Sequence, residues 1–375
     1  MKLDNKQKVF FELLRAGLWG DQGSVQESKS SRVQDSVDWG KVYQIAQEQS
    51  VQGLVLSGLE ELRAKGIELR VPKVLLLQWI GEVQVIEQRN KEMNVFVAEL
   101  IEKLRKEDIY AIVVKGQGIA QCYEKPLWRS SGDIDLLLSD SNYDRAKEVL
   151  LPLSSDIEQE FTHFKHLGMT IKGWVVELHG TLHSRLSKRV DRMIDKMQGN
   201  VFLGGNVRSW EINGTQIFLP APNEDVIFVF THILHHFYIE GVGLRQICDW
   251  CRLLWTYKDS LNRGLLESRI READLMSEWR AFYALATKYF GMPEVPSFKF
   301  QDSSDPKWER KADRIMEFVM ETGNFGHNRH NSGGKLVSLW QKTKDFARHA
   351  QVFPLDSIKF YFHFVGDGLR IAMNK

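Results

Sequence analysis

The sequence predicts an α+β protein, with a small mixed-sheet core flanked by N-terminal and C-terminal helical regions. Three observations carry this. Residues 1–108 place apolar side chains at helical spacing, residues 109–220 change to short β-rich runs broken by glycine, and residues 221–375 return to helical spacing. At 375 residues the chain has room for two or three domains, and the changes of period divide it after 108 and after 220.

The first region opens with Val9, Phe10, Leu13, Leu14 and Leu18 on one helical face. A polar, serine-bearing stretch from Gly20 to Ser36 reads as a loop, and two helices follow near Trp39–Gln49 and Val51–Ala64. Pro72, which needs no N–H at a helix start, opens a long helical pattern that runs to Lys106. The character then changes. Tyr110–Val114 is a β-rich run ending in the turn Lys115-Gly116-Gln117-Gly118, with a short helix at Ile119–Tyr123. Asp133–Leu138 is a second strand and Tyr143–Leu151 a helix. Phe161–Ile171 and Trp174–Leu182 are paired strands around Gly173. Val207–Ile212 and Thr215–Leu219 flank Asn213-Gly214, a strong hairpin signal. Beyond Pro222, helices are predicted at Glu224–Phe237, Leu244–Tyr257, Gly264–Glu272, Leu275–Phe290, Trp308–Glu321, Lys335–His349 and Ile358–Phe364. Gly291–Asp305 is a linker and Thr322–Gly334 a loop.

Composition narrows the function classes. Hydrophobic residues at 43% and charged residues at 26% exclude bulk disorder. The 50 lysines and arginines against 49 aspartates and glutamates leave a net charge of +1, without the footprint of a general nucleic-acid binder. No apolar run approaches a membrane span, and Met1–Lys6 is too polar for a secretory signal. Three cysteines are too few for a disulfide framework, so the cytoplasm is the expected compartment.

The sharpest chemical feature is Gly132-Asp133-Ile134-Asp135. On a strand, residues i and i+2 share a face, so Asp133 and Asp135 stand side by side. Two close carboxylates need positive charge beside them, and divalent metal ions are natural partners. Solvated aspartates on an edge strand and a metal-dependent glycosyltransferase are alternative readings of an isolated Asp-x-Asp. The surroundings add to it. Upstream lies the glycine turn Lys115-Gly116-Gln117-Gly118, which can bring backbone N–H groups against phosphate oxygens. Arg129 places a cation nearby, and the run Val175–His179 offers Glu177 as a third carboxylate with His179 on the same face.

Elsewhere, His232, His235 and His236 precede Cys248 and Cys251, which admits a zinc site. Their spacing matches no standard module, and packed helix faces account for them better. Arg185, Lys188, Arg189, Arg192 and Lys196 read as a solvated helix face, with an acidic partner as the alternative.

The order of these segments resembles the nucleotidyltransferase fold of the DNA polymerase beta superfamily. The closer resemblance is to an uncharacterised bacterial nucleotidyltransferase-like family. That family carries a Leu-Lys-Gly turn (here Val114-Lys115-Gly116), an Arg-x-x-x-Asp-Ile-Asp-Leu-Leu segment (Arg129–Leu137) and a Glu-Leu-His strand (Glu177–His179). The Asn-Gly hairpin, the helix bearing His232 and His235, and Gly243-Leu244-Arg245 with Asp249 also resemble its C-terminal half. The resemblance implies an enzyme that transfers NMP from an NTP to a hydroxyl of a small molecule or protein. Asp133, Asp135 and Glu177 would then hold two magnesium or manganese ions. Lys115, Gly116, Gln117 and Arg129 would bind the nucleotide, and His179, His235, Arg245 and Asp249 would contact the acceptor. Gln117 stands where the wider superfamily carries serine, which leaves a nucleotide- or partner-binding module without turnover as the alternative.

Overall fold

The computed structural model describes residues 3–20, 37–161, 164–239, 241–295, 298, 305–323 and 335–361, with the backbone alone described at 335–342. Four helices lead: α1 (Asn5–Trp19), α2 (Trp39–Glu48), α3 (Gln52–Ala64) and α4 (Lys73–Arg105). The sheet region follows as β1 (Ala111–Val114), α5 (Gly116–Ala120), β2 (Asp133–Leu138), α6 (Asp140–Leu150), β3 (Ser154–Ile157), β4 (His166–Ile171), β5 (Trp174–His179), α7 (Lys188–Phe202), β6 (Val207–Ile212) and β7 (Thr215–Pro220). The chain continues through α8 (Pro222–Ile239), α9 (Leu244–Thr256), α10 (Arg263–Glu272), α11 (Met276–Phe290), α12 (Pro306–Thr322) and α13 (Lys335–Val352). No helix among the described residues is long and apolar enough to cross a membrane.

The seven strands form one sheet in the order β3-β4-β5-β2-β1-β7-β6. Strand β2 runs parallel to β5 and antiparallel to β1, and β1 runs parallel to β7, so the sheet is mixed. Asn213 and Gly214 both take positive φ, 50° and 83°, as a two-residue hairpin turn between β6 and β7 requires.

Strand alternation gives the sheet two unlike faces. Ala111, Val113, Ile134, Leu136, Leu138, Val176 and Leu178 point one way and pack on α6 and the second half of α4, from Met93 to Leu104. Ile112, Val114 and Leu137 point the other way into a larger core built by helices from both ends of the chain. That core joins the N-terminal and C-terminal helical regions directly. Trp19 Nε1 donates to the Phe290 carbonyl at 2.7 Å, and Arg15 Nε donates to that of Tyr289 at 2.9 Å.

Two differences from the sequence reading have plain causes. Strand β3 was not expected, because Ser154–Ile157 is a mostly exposed edge strand without apolar alternation. The strand predicted over Phe161–Ile171 begins at His166, and Phe161 makes only an isolated bridge to that residue. The predicted Gly20–Ser36 loop, Gly291–Asp305 linker and Thr322–Gly334 loop, and the end of the Ile358–Phe364 helix, fall largely outside the described residues.

Helices α1 and α3 cross backbone to backbone. A Cβ on Gly58 would lie 1.8 Å from the Leu13 carbonyl oxygen, and one on Gly17 would lie 2.0 Å from that of Leu54. Since the obstructing atoms are backbone, no side chain can move aside. Gly58→Ala is expected to lower stability by about 2 kcal/mol, as overpacking does. Chemical denaturation reads this, and an unchanged midpoint would show that the two helices separate at no cost.

Candidate active site

The polar face of the sheet is built by register. Asp135 on β2 lies opposite Glu177 on β5, with Val114 on its other side, and Leu137 lies opposite His179. Across the β4–β5 hairpin, Gly168 pairs with Glu177 and His166 with His179. Asp133, Asp135, Glu177, His179 and His166 therefore stand together on one face. Oxygen atoms of Asp133, Asp135 and Glu177 lie within 4.8 Å of one another.

At the end of β1 the chain turns abruptly. Lys115 takes φ 57° and ψ −142°, a conformation that L-residues rarely adopt, and the turn leads into the short helix α5. This strained turn aims the ammonium at the carboxylates, with Nζ 2.7 Å from Asp135 Oδ1. His179 Nε2 reaches the same oxygen at 2.8 Å, and Asp135 is 2% exposed. Burial works against the charged form of Lys115, but Asp135, Glu177 and Asp133 outweigh it and hold its pKa above the usual value. The repulsion of Asp135, burial and Glu177 raise the pKa of Asp133. Burial opposes ionisation of Glu177, yet hydrogen bonds from His166 and His179 overcome it and hold that carboxyl well below the usual range. Burial likewise opposes the charged form of His179, and its contacts with Asp135 and Glu177 hold its pKa raised. An all-oxygen cluster in which Asp133 is under repulsion fits a divalent cation, and Lys115 already brings one positive charge to it.

The face opens onto a cavity of about 550 Å³, walled on one side by the sheet and on the other by α8 and α9. The size suits a nucleotide-scale ligand. The structure brings all the predicted residues to this region, in different states. Arg129 donates twice to Asp249, with Nε–Oδ1 2.8 Å and Nη2–Oδ2 2.6 Å, and Tyr123 donates to the same carboxylate at 2.7 Å. Gln117 is 4% exposed; its amide donates to Asn94 at 2.8 Å and accepts from Ser131 at 2.6 Å. Gly116 and His235 line the wall, and His235 Nδ1 donates to the Ser184 carbonyl at 2.6 Å.

Arg245 is the contrasting cation. It donates from Nη1 to the Ser130 carbonyl at 2.9 Å, while its buried Nε has no hydrogen-bond partner among the described residues. Burial, then repulsion from Arg129, lowers its pKa. An anion entering the cavity would relieve both. His166 is the site residue that sequence reasoning missed. Pairing outward from the Lys172-Gly173 turn sets it opposite His179, a signal present in the hairpin itself. The described residues bring no cysteine into a metal-ligating group; Cys248 and Cys251 are buried thiols whose pKa values burial raises.

A mixed sheet with a carboxylate-lined face under a helical cover is the framework of a nucleotidyltransferase-like protein. The model of a family described as uncharacterised nucleotidyltransferase matches residues 35–291, and the chain belongs to that family. A solved structure, an antigenic nucleotidyltransferase-like protein from Paracoccidioides brasiliensis, is similar at 16% identity with a TM-score of 0.34, over 56% of this chain and 97% of that one. No curated protein matches.

The raised pKa of Asp133 fixes the sign of a stability test. A group whose pKa is higher in the folded protein favours folding when protonated, so its contribution falls as pH rises above its unfolded value near ~4. Without metal, Asp133→Asn is expected to melt higher than the wild type at pH 8. The difference should close below about pH 4, where the wild-type carboxyl is itself protonated. A variant that melts lower at pH 8 would show that Asp133 is not under repulsion.

Proposed function

We propose that this chain is a metal-dependent nucleotidyltransferase that moves NMP from an NTP to a hydroxyl of a small molecule or protein and releases pyrophosphate. The observation that supports it is the convergence of Asp133, Asp135 and Glu177 within 4.8 Å on one sheet face, opening onto the cavity. Two magnesium or manganese ions held by these carboxylates would neutralise the triphosphate and favour departure of pyrophosphate.

The chain's own groups divide the remaining work. Arg245, which lines the cavity, binds triphosphate oxygens. Arg129 is engaged by Asp249, and this pair positions the segment that carries Ser130 and Asp133. Lys115 balances Asp135 until nucleotide arrives and then lies within reach of phosphate. Gly116 and Gln117 shape the turn beneath it. Glu177, ionised at neutral pH, accepts the hydrogen bond of the acceptor hydroxyl and takes up its proton as the new oxygen–phosphorus bond forms. The bond from the α-phosphorus to the bridging oxygen breaks in line, and the electron pair leaves with pyrophosphate. His235 and His179 line the acceptor side.

A second reading has one specific support. Gln117 occupies the position of the superfamily serine, and its amide is consumed by Asn94 and Ser131, so this position offers no hydroxyl to a triphosphate. On this reading the chain is a module that binds nucleotide without turnover. Pyrophosphate release with acceptor candidates separates the two, because the module binds NTP and releases none.

Two variants test the assignment. Glu177→Gln should retain NTP binding and lose turnover by about 10²-fold or more, the size expected for a positioned base. Equal turnover would make Glu177 structural. Arg245→Met should weaken NTP binding by about tenfold, or roughly 1.4 kcal/mol, in equilibrium titration. Unchanged affinity would remove Arg245 from the phosphate site. With a net charge of +1, RNA filter binding should show no tight, steeply salt-dependent affinity. Finding one would replace the small or protein acceptor with a polynucleotide.

A further inference from the structure

We infer that His166, Glu177 and His179 form a binding site for a divalent first-row transition-metal ion, which shares Glu177 with the three-carboxylate cluster and differs from it in its nitrogen donors. The basis is a juxtaposition across the β4–β5 hairpin. Glu177 Oε2 lies 3.2 Å from His166 Nε2 and 3.4 Å from His179 Nε2, so two imidazoles converge on one carboxylate oxygen. The three donor atoms lie within 4.8 Å of one another.

The convergence is held from several directions. Antiparallel register sets His166 opposite His179, and their rings stack with centroids 4.8 Å apart and planes 20° from parallel. Phe161 stacks on His166 at 6.2 Å. Gly168, opposite Glu177, adds no side chain between the strands. His179 Nε2 also touches Asp135 Oδ1, which ties the trio to the neighbouring carboxylates. All three residues line the cavity, so an ion there would keep positions open to ligand.

Donor chemistry selects the metal. Magnesium demands oxygen ligands and gives up its water reluctantly, which matches Asp133 and Asp135 but not two imidazoles. Two histidines with one carboxylate are a first-row transition-metal set, taking iron, cobalt or zinc. Glu177 has two oxygens, and Oε2 is the one facing the imidazoles. The two halves of the cluster therefore differ in preference, oxygen-rich on β2 and nitrogen-bearing on β4 and β5. The trio depends on no nucleotide.

Titration of metal-free protein with cobalt(II) alone, followed by its visible bands, and with zinc in a calorimeter, tests this site. The wild type and Asp133→Asn should both bind an ion whose cobalt bands carry nitrogen ligation. Affinity should fall by about tenfold or more in His166→Ala and in His166→Gln, since even outer-shell changes cost about 10–100-fold. The glutamine variant keeps a polar side chain on the strand, and its melting temperature without metal confirms that it folds. Wild-type affinity in a folded His166 variant would overturn the assignment. So would loss of binding in Asp133→Asn with retention in His166→Gln, which moves the ion to the carboxylates. Cobalt binding by a wild type that fails to bind magnesium–NTP would support this site while refuting the proposed transfer.

Discussion

One buried carboxylate governs the centre of this molecule. Asp135 sits on β2 in the middle of the sheet at 2% exposure, where an uncompensated negative charge would cost several kcal/mol. Lys115 and His179 meet it from the two neighbouring strands, at 2.7 and 2.8 Å. Each of those contacts in turn demands structure. Lys115 reaches Asp135 only because the chain leaves β1 at positive φ. His179 reaches it because β5 lies parallel to β2 at the register that sets Asp135 opposite Glu177.

The cover over this face is charge-balanced in the same way. Arg129, from the segment before β2, is locked to Asp249 of α9, and Tyr123 shares that carboxylate. The link fixes the C-terminal helices against the sheet core, so the cavity wall is set by an ion pair and not only by apolar packing. Arg245, one turn earlier on α9, lines the same cavity and donates to the Ser130 carbonyl. The same helix thus uses one carboxylate to hold the fold and places one guanidinium in the cavity wall.

Much of this was legible in the sequence because strand alternation is local. Asp133 and Asp135 two apart, and Glu177 and His179 two apart, announce their shared faces without knowledge of the fold. The flanking helices and the Asn213-Gly214 hairpin follow from period and turn chemistry in the same way. Long-range pairing is what local pattern cannot supply. Arg129 and Asp249 are 120 residues apart, and nothing near either announces the ion pair that joins them. Gln117 reads from sequence as a missing hydroxyl, whereas its amide is a bracket between Asn94 on α4 and Ser131. The exposed strand β3 has no apolar alternation to betray it, and His166 is visible only once pairing is counted outward from the Lys172-Gly173 turn. The division into three segments also looks sharper in sequence than in space, since α1 packs on α11 in one helical core.

The central claim is that Asp133, Asp135 and Glu177 form a metal–triphosphate site, in which Lys115 supplies the balancing charge until the ligand arrives. The most direct measurement is a crystal structure with manganese and an NTP analogue that cannot be cleaved between the α- and β-phosphates. Anomalous density among the three carboxylates, with the triphosphate on Arg245 and the Lys115 ammonium drawn toward phosphate, is the predicted result. A triphosphate bound elsewhere, or Lys115 still on Asp135 with no anomalous density among the carboxylates, would contradict it.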